Sequence, residues 1–267
     1  YEWIDASDGT MLFLGDDDEV SVNLPFVFTF YGRSSNILLI GNNGAAILGV
    51  STGSVPYANS RMSSAPDDFI APFWDDLYFD DDGWVAYKTV GTAPQRRFVV
   101  EWFNRPHYYL GSSGITAELI LYEESNNLKF QYQDVIFNDV LGDNGNSATV
   151  GIRGHDQSFL EYSYNSPKLA NGMALCFQAP GARPCDARDA PWLTITPSNG
   201  TIFEQDVLTV TLQLDTDVSG LGLHVAGMEI GRAGSDRDAT PGDDDQCSRP
   251  QAQILMKRLR IEVTGSE

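Results

Sequence analysis

Hydrophobic and polar residues alternate in short runs between residues 20 and 178, and Gly, Asn, Asp or Pro separates each run from the next. In LKFQYQDV, for example, apolar residues at 128, 130 and 132 alternate with polar residues at 129, 131 and 133. A period of two predicts strands with one face packed and the other facing water, and helical periodicity is nearly absent. About ten such strands fit two stacked sheets. The sequence therefore predicts an all-β fold with a large antiparallel β-sandwich.

Two segments of this region contain turn sequences. NILLIGNNGAAILG places Asn42-Asn43-Gly44 between two apolar runs, which predicts a β-hairpin. FIAPFWDDLYFDDDGW, residues 69–84, places Phe73, Trp74 and Leu77 in a predicted strand and residues 80–83 in the turn that follows it.

The pattern stops at APGARPCDARDAP, which is rich in Pro, Gly and charge, and then restarts. This break predicts a first domain at residues 1–180, a linker at 181–190 and a second domain at 191–267. The second domain has WLTITPSNGTI, VLTVTLQLD, LGLHVAGMEIG and AQILMKRLRIEV. Four or more strands in this length predict a small immunoglobulin-like β-sandwich. The insert RAGSDRDATPGDDDQCSRP is far longer than an ordinary hairpin turn, so it predicts an unusual loop.

The charge balance restricts the partners of this chain. It has 17 Lys and Arg against 37 Asp and Glu, a formal net charge of −20, which repels nucleic acid and anionic membrane surfaces. No apolar run approaches the roughly 18 residues that a membrane-spanning helix needs. We therefore expect no nucleic-acid partner and no membrane insertion. YEWIDASDGT lacks the features of a signal peptide, so we expect a mature secreted form or an excised piece.

The three cysteines are Cys176, Cys185 and Cys247, too few for a disulfide scaffold and without zinc-ribbon spacing. Cys176 and Cys185 flank FQAPGARP, whose Pro/Gly turn lets them pair, so we predict a Cys176–Cys185 disulfide. A Cys185–Cys247 pair is the alternative. Either choice leaves one thiol over.

The sequence contains no catalytic motif in the context that such a motif requires. GVSTG puts Ser51 in the nucleophile position of G-x-S-x-G, but no helix is predicted after it. Asp75 and Asp76 are adjacent on a predicted strand and point to opposite faces, so they cannot act together as a glycosidase pair. None of the three histidines stands in a recognisable catalytic arrangement. We predict no catalytic residues and a protein that is not an enzyme.

Calcium is the one cofactor that the acidic segments predict, because irregular β-loops supply the carboxylate, amide and carbonyl oxygens that this cation takes. The predicted ligands are Asp75, Asp76, Asp80 and Asp82. The segment is not an EF-hand. In that 12-residue loop the invariant glycine is at position 6, and positions 1 and 12 carry oxygen ligands. With Gly83 at position 6, these two positions are occupied by Tyr78 and Thr89. A solvated turn is the alternative.

A second candidate site is NRPHYYLGSSG, which presents His107, Tyr108 and Tyr109 in a predicted loop. Carbohydrate-binding β-sandwiches stack sugars on aromatic rings beside Asp and Asn acceptors, so these residues are candidates for contact with a glycan or a partner. Simple packing of the loop is the alternative.

Residues 24–178 resemble a module related in pattern to the nidogen-type extracellular domain, found in secreted bacterial proteins and often beside subtilisin-like peptidases. The resemblance lies in LPFVFTFYG, GNNGAAILG, IAPFWDDL, RRFVVEWFN, LKFQYQDV, SATVGIRG and LANGMALCF. Residues 191–263 resemble bacterial immunoglobulin-like repeats of the BACON or Hydin type, through PWLTITPSNGTI and LTVTLQLD. The resemblance implies an extracellular or cell-surface location and no catalytic residues.

Three functional hypotheses follow from these observations. The first is a non-enzymatic module for adhesion or assembly, or the accessory region of a secreted peptidase. The second is a carbohydrate-binding module, and the third is a subunit of an extracellular fibre held by pairing of edge strands. The expected partners are other proteins or copies of this chain, together with glycans under the second hypothesis.

Overall fold

We analysed a computed structural model of the chain. It describes residues 1–80, 82–182 and 185, and the backbone of four strands beyond them. The chain divides into two compact units, Tyr1–Cys185 and Asp186–Glu267.

The first unit is built from two six-stranded antiparallel sheets. Sheet A contains, in spatial order, β1 (Thr10–Leu12), β6 (Trp84–Val90), β7 (Arg97–Pro106), β8 (Gly114–Tyr122), β9 (Leu128–Asp134) and β12 (Met173–Phe177). Sheet B contains β11 (Phe159–Tyr164), β10 (Thr149–Arg153), β5 (Phe69–Trp74), β4 (Ala46–Leu48), β3 (Arg33–Gly41) and β2 (Glu19–Phe30). Two short 3-10 helices, Met62–Ser64 and Asp143–Gly145, lie in the loops. The predicted all-β sandwich is confirmed.

The core lies between the two sheets, where alternate residues of each strand meet. Phe26, Phe28 and Phe30 of β2 all point into it, as their period of two predicts. Two buried hydrogen bonds also join the sheets. The Trp102 indole N–H donates to the Gly41 carbonyl oxygen at 2.8 Å, and the Tyr132 hydroxyl donates to the Pro72 carbonyl oxygen at 2.9 Å. These bonds satisfy the polar ends of two fully buried aromatic side chains.

The predicted hairpin at Asn42-Asn43-Gly44 joins β3 to β4, and it packs tightly against β5. Gly44 has φ +68°, and a Cβ at this position would lie 1.8 Å from the Phe73 carbonyl oxygen. Only glycine both adopts this conformation and leaves room for the neighbouring strand. The hairpin is therefore held directly against the end of β5, where Asp75 and Asp76 follow.

The outer face of sheet A differs from the sequence prediction. Lys129 and Gln131 of β9 were expected to meet water, but they are 2% and 0% exposed. For Gln131 the reason is that the N-terminal strap, residues 1–9, lies across this face. Gln131 exchanges hydrogen bonds with the backbone of Glu2, donating to its carbonyl oxygen and accepting from its N–H, both at 2.6 Å.

Two glutamates continue this row beneath the strap. Glu101, Glu118 and Gln131 are opposite one another on β7, β8 and β9. Glu101 accepts a hydrogen bond from the backbone N–H of Ala6 at 2.7 Å, and Glu118 accepts one from that of Ile4 at 3.4 Å. Burial raises the pKa of Glu101 to about 7 and that of Glu118 to about 8. The strap is thus attached to sheet A by side chains instead of a backbone ladder.

The C-terminal edge of the first unit carries the disulfide that the turn at FQAPGARP predicts. The structure joins Cys176 of β12 to Cys185, with Cα atoms 5.8 Å apart. Cys247, the third cysteine, lies outside the described residues.

We expect peptide mapping of the non-reduced protein to recover a Cys176–Cys185 linked peptide. Because the closed loop is short, replacing both cysteines with serine should lower the free energy of unfolding of the first unit by about 2–3 kcal/mol, measured by chemical denaturation. Serine in place of Cys247 is the matched control, and it should leave this value unchanged. Recovery of a Cys185–Cys247 peptide would contradict the assignment.

In the second unit the structure describes two antiparallel pairs of strands. β13 (Leu193–Thr196) pairs with β14 (Thr211–Leu214), and β15 (Gly222–Gly227) pairs with β16 (Arg258–Val263). The remainder of the predicted immunoglobulin-like domain and its acidic insert lie outside the described residues.

Candidate functional site

Three loops converge at one end of the first sandwich: residues 75–80 and 82–83 after β5, 107–113 after β7 and 135–148 after β9. Backbone hydrogen bonds join them. Tyr108 N–H donates to the Asp76 carbonyl oxygen at 2.9 Å, and Ser112 N–H donates to the Phe137 carbonyl oxygen at 2.8 Å. Because loops carry most binding and catalytic residues, this loop end is the first place to look for a site.

The hairpin asparagines hold the first of these loops in place. Asn43 accepts a hydrogen bond from the backbone N–H of Leu77 at 2.9 Å. Asn42 donates to the Leu77 carbonyl oxygen and accepts from the buried guanidinium of Arg105. Both asparagines are almost completely buried. The GNNG and FWDDL segments, which are separate in the sequence, therefore form one structural element.

Asp75 is the centre of a buried polar network at this end. Its side chain accepts hydrogen bonds from the Ser147 hydroxyl and from the backbone N–H of Asp76, and its Oδ1 lies 3.4 Å from Nε2 of His107. The other ring nitrogen of His107, Nδ1, accepts from the backbone N–H of Tyr109 at 3.2 Å. The ring proton is therefore on Nε2 and faces Asp75. Asp75 thereby links all three loops.

The order in which the side chains of this network contact one another differs from that in a serine hydrolase. In a catalytic triad the histidine stands between the serine and the carboxylate, so that it can take the serine proton. Here Asp75 stands between Ser147 and His107, and both nitrogens of His107 are already engaged. Ser51, the other candidate nucleophile, is exposed in a turn, and the first helix after it is the 3-10 turn at Met62–Ser64. The geometry found here suits loop positioning.

The four predicted calcium ligands have separate surroundings. Asp75 is committed to the network above, and Asp76 is half-buried beside it. Asp80 closes the predicted turn, its carbonyl oxygen accepting from Gly83 N–H at 3.4 Å, and the Asp82 carbonyl oxygen accepts from Asn104. Among the described residues, no three His, Cys, Asp or Glu side chains are grouped so as to hold a metal ion. Calcium binding stays a prediction.

The aromatic residues of these loops form a surface cluster, the aromatic rim, consisting of Tyr78, Phe79, Tyr108 and Tyr109. Ring centroids are 5.0 Å apart for Tyr78 and Phe79, 5.5 Å for Tyr78 and Tyr108, and 5.9 Å for Tyr108 and Tyr109. Tyr108 is 56% exposed and Tyr109 is 74% exposed, whereas His107 beneath them is 7% exposed. Of the three predicted contact residues, the tyrosines are available to a partner and the histidine is mainly a support.

Beside the rim lies a pocket of about 340 Å³, the asparagine pocket. Its lining includes Asp75, His107 and Ser147 of the network described above, together with aromatic, amide and carboxylate side chains: Tyr57, Asn59, Asp76, Tyr109, Asn146 and Asn165. Burial raises the pKa of Asp76, and the nearby carboxylates Asp17 and Asp16 raise it further. The pocket combines exposed rings with hydrogen-bonding groups.

Sequence reasoning identified Asp75, Asp76, His107 and Tyr109 as site residues but missed the asparagines of this pocket. Asn59, Asn146 and Asn165 come from three different loops, and Asn59 donates to the Ser147 carbonyl oxygen at 2.6 Å and to Asn165 at 2.8 Å. Residues so far apart along the chain share no local period. The only signal was the richness of YANS and DNGNS in small amides and hydroxyls.

The fold and this loop end define a β-sandwich module with a polar and aromatic surface site. Residues 1–181 match the family model described as NIDO related. The chain belongs to this family, which indicates an extracellular module. Neither the search of curated proteins nor that of solved structures found a match. Within the part of the chain that the structure describes, no helix is long and apolar enough to span a membrane.

Proposed function

We propose that this chain is a non-enzymatic extracellular module for adhesion or assembly, including service as the accessory region of a secreted peptidase. The observation that carries the proposal is the division of roles at the loop end. The groups with catalytic potential, Ser147, His107 and Asp75, are occupied with one another. The groups that point outward are aromatic and amide side chains, which suit recognition.

The aromatic rim supports binding more directly than any other described surface of the loop end. Tyrosine offers a large rigid contact area at a low cost in conformational entropy, which is why it is enriched at recognition surfaces. Tyr108 and Tyr109 already have their backbone positions fixed by hydrogen bonds to Asp76 and His107. A partner would therefore meet a surface that is largely organised in advance.

Beads coated with the full chain should be retained on at least one of four surfaces: gelatin, cellulose, chitin or the immobilised chain itself. Replacing Tyr108 and Tyr109 together by alanine should reduce retention about tenfold or more, because aromatic anchors carry much of the binding energy of such surfaces. Phe13→Ala is the matched control, since Phe13 is an exposed aromatic residue (98%) outside the rim.

The same protein should not turn over chromogenic ester, glycoside or peptide substrates above the buffer rate. Turnover that disappears in Ser147→Ala or His107→Ala would contradict the proposal. Absence of retention on all four surfaces would contradict it as well.

A further inference from the structure

We infer that the asparagine pocket is a binding site for one neutral sugar residue. This inference rests on the proposed function, because it names the class of ligand that one part of the recognition surface takes. It begins from the hydrogen-bonding capacity that the pocket residues retain.

The amide groups around the pocket are held firmly but are not saturated. The Asn59 side-chain NH₂ donates to Ser147, Thr149 and Asn165, which fixes the orientation of the amide, while its Oδ1 has no partner among the described residues. Asn165 uses its Oδ1 in this contact, and its NH₂ has no partner within the part of the chain that the structure describes. Asn146 donates to the Val140 carbonyl oxygen at 2.8 Å, and this contact leaves its Oδ1 able to accept a hydrogen bond. The pocket thus offers both donors and acceptors in fixed positions.

Asp76 adds a carboxylate whose oxygens can accept further hydrogen bonds. Its backbone is engaged on both sides, donating to Asp75 and accepting from Tyr108. Its side-chain oxygens have no hydrogen-bond partner within the described chain, although the residue is only partly exposed. Asp76 lines the pocket, so a ligand hydroxyl there can donate a charge-assisted hydrogen bond to its carboxylate.

Two tyrosines supply the apolar part of the site. Tyr57 is 53% exposed and Tyr109 is 74% exposed, and both line the pocket. A sugar ring presents hydroxyl groups around its edge and C–H groups on its faces. It therefore matches a pocket in which fixed amides and a carboxylate stand next to exposed aromatic faces.

Charge and size narrow the class of ligand further. No lysine or arginine is among the residues that line the pocket, and Asp16 and Asp17 lie close enough to act on Asp76. An acidic sugar would meet unfavourable charge here. An amine would pair with the Asp76 carboxylate and make cation–π contacts with the aromatic rings, but it would leave the NH₂ donor of Asn165 unused. The volume, about 340 Å³, is at the small end for ligand pockets, so it suits one ring better than an extended chain.

A printed array of neutral and sialylated oligosaccharides tests the inference with the full chain. The wild-type protein should bind a group of neutral probes that share a terminal residue, and the matching free monosaccharide should compete. Tyr109→Ala and Asp76→Ala should each weaken binding about tenfold. Phe13→Ala is the matched control, because Phe13 is an exposed aromatic residue (98%) that lies outside both the rim and the pocket. It should retain binding within about twofold.

Several outcomes would overturn the inference: an array without bound probes, binding confined to sialylated probes, competition by choline but by no monosaccharide, or a loss in Phe13→Ala equal to that in Tyr109→Ala. If the array is blank while coated beads are retained on gelatin or on the chain itself, the sugar site fails and the proposed function stands. If the array and all four surfaces are blank, both fail.

Discussion

Replacing Asp75 by alanine should lower the free energy of unfolding of the first unit by about 3 kcal/mol, because two hydrogen-bond donors lose a charged acceptor and His107 loses its neighbouring carboxylate. The donors are the Ser147 hydroxyl and the Asp76 backbone N–H, and Nε2 of His107 lies 3.4 Å from the Asp75 carboxylate. Asp75 is 3% exposed, so its contacts in the folded protein are largely shielded from competition with water. Chemical denaturation followed by tryptophan fluorescence measures the change.

The neighbouring residue provides a matched control for this prediction. Asp76 carries the same side chain one position along, but that side chain has no hydrogen-bond partner among the described residues, and its burial raises its pKa. Asp76→Ala should therefore change the free energy of unfolding by less than about 0.5 kcal/mol, or stabilise slightly. Equal losses in the two variants would show that Asp75 is not the hub of the loop end.

The second large effect concerns pH and the N-terminal strap. The first unit should become less stable as pH rises from about 5 to about 8. In the folded protein the pKa of Glu101 is about 7 and that of Glu118 about 8, against an unperturbed value of 4.5. The folded state therefore binds more protons than the unfolded state in this window, and ∂ΔG/∂pH is negative. The stabilisation is complete below pH 4.5, falls through the window and is lost above pH 8.

The steepest part of this dependence should approach roughly 2–3 kcal/mol per pH unit, because two groups titrate together there. Melting temperatures by circular dichroism, at fixed ionic strength and half-unit steps of pH, give the slope. A variant with both Glu101→Gln and Glu118→Gln should show a much smaller dependence of the melting temperature on pH. Glu123→Gln is the control, because Glu123 pairs with Arg96 and its pKa is lowered, so it does not titrate in this window. A melting temperature that is flat or rises from pH 5 to pH 8 would contradict the account.

Local patterns in the sequence predict most of the sandwich. The period of two in β2 and β9 identifies the core residues, and Asn42-Asn43-Gly44 identifies the β3–β4 hairpin. The pairing of β2 with β3 shifts register between Asn23 and Phe28, and this irregularity is consistent with Pro25, which has no N–H to donate to the ladder. These features depend on neighbours along the chain, which is the information that a sequence shows directly.

The outer layers could not be predicted in the same way. Gln131 and Glu118 have the pattern of solvent-facing strand residues, and no neighbouring residue in the sequence indicates that residues 1–9 cover them. The strap itself has no strand alternation, because its N–H groups bond to side chains of sheet A. The asparagine pocket was missed for a related reason. Asn59 and Asn165 are 106 positions apart and meet only because β5, β10 and β11 are neighbours in sheet B.

The most direct test of the account is retention of coated beads by wild-type protein and by a variant with both Tyr108→Ala and Tyr109→Ala, with melting temperatures measured on the same samples. The account predicts equal melting temperatures and clearly lower retention for the double variant, because these exposed side chains serve recognition and not the fold. Unchanged retention at equal stability, on every surface that retains the wild type, would contradict the claim that the loop end is the binding site.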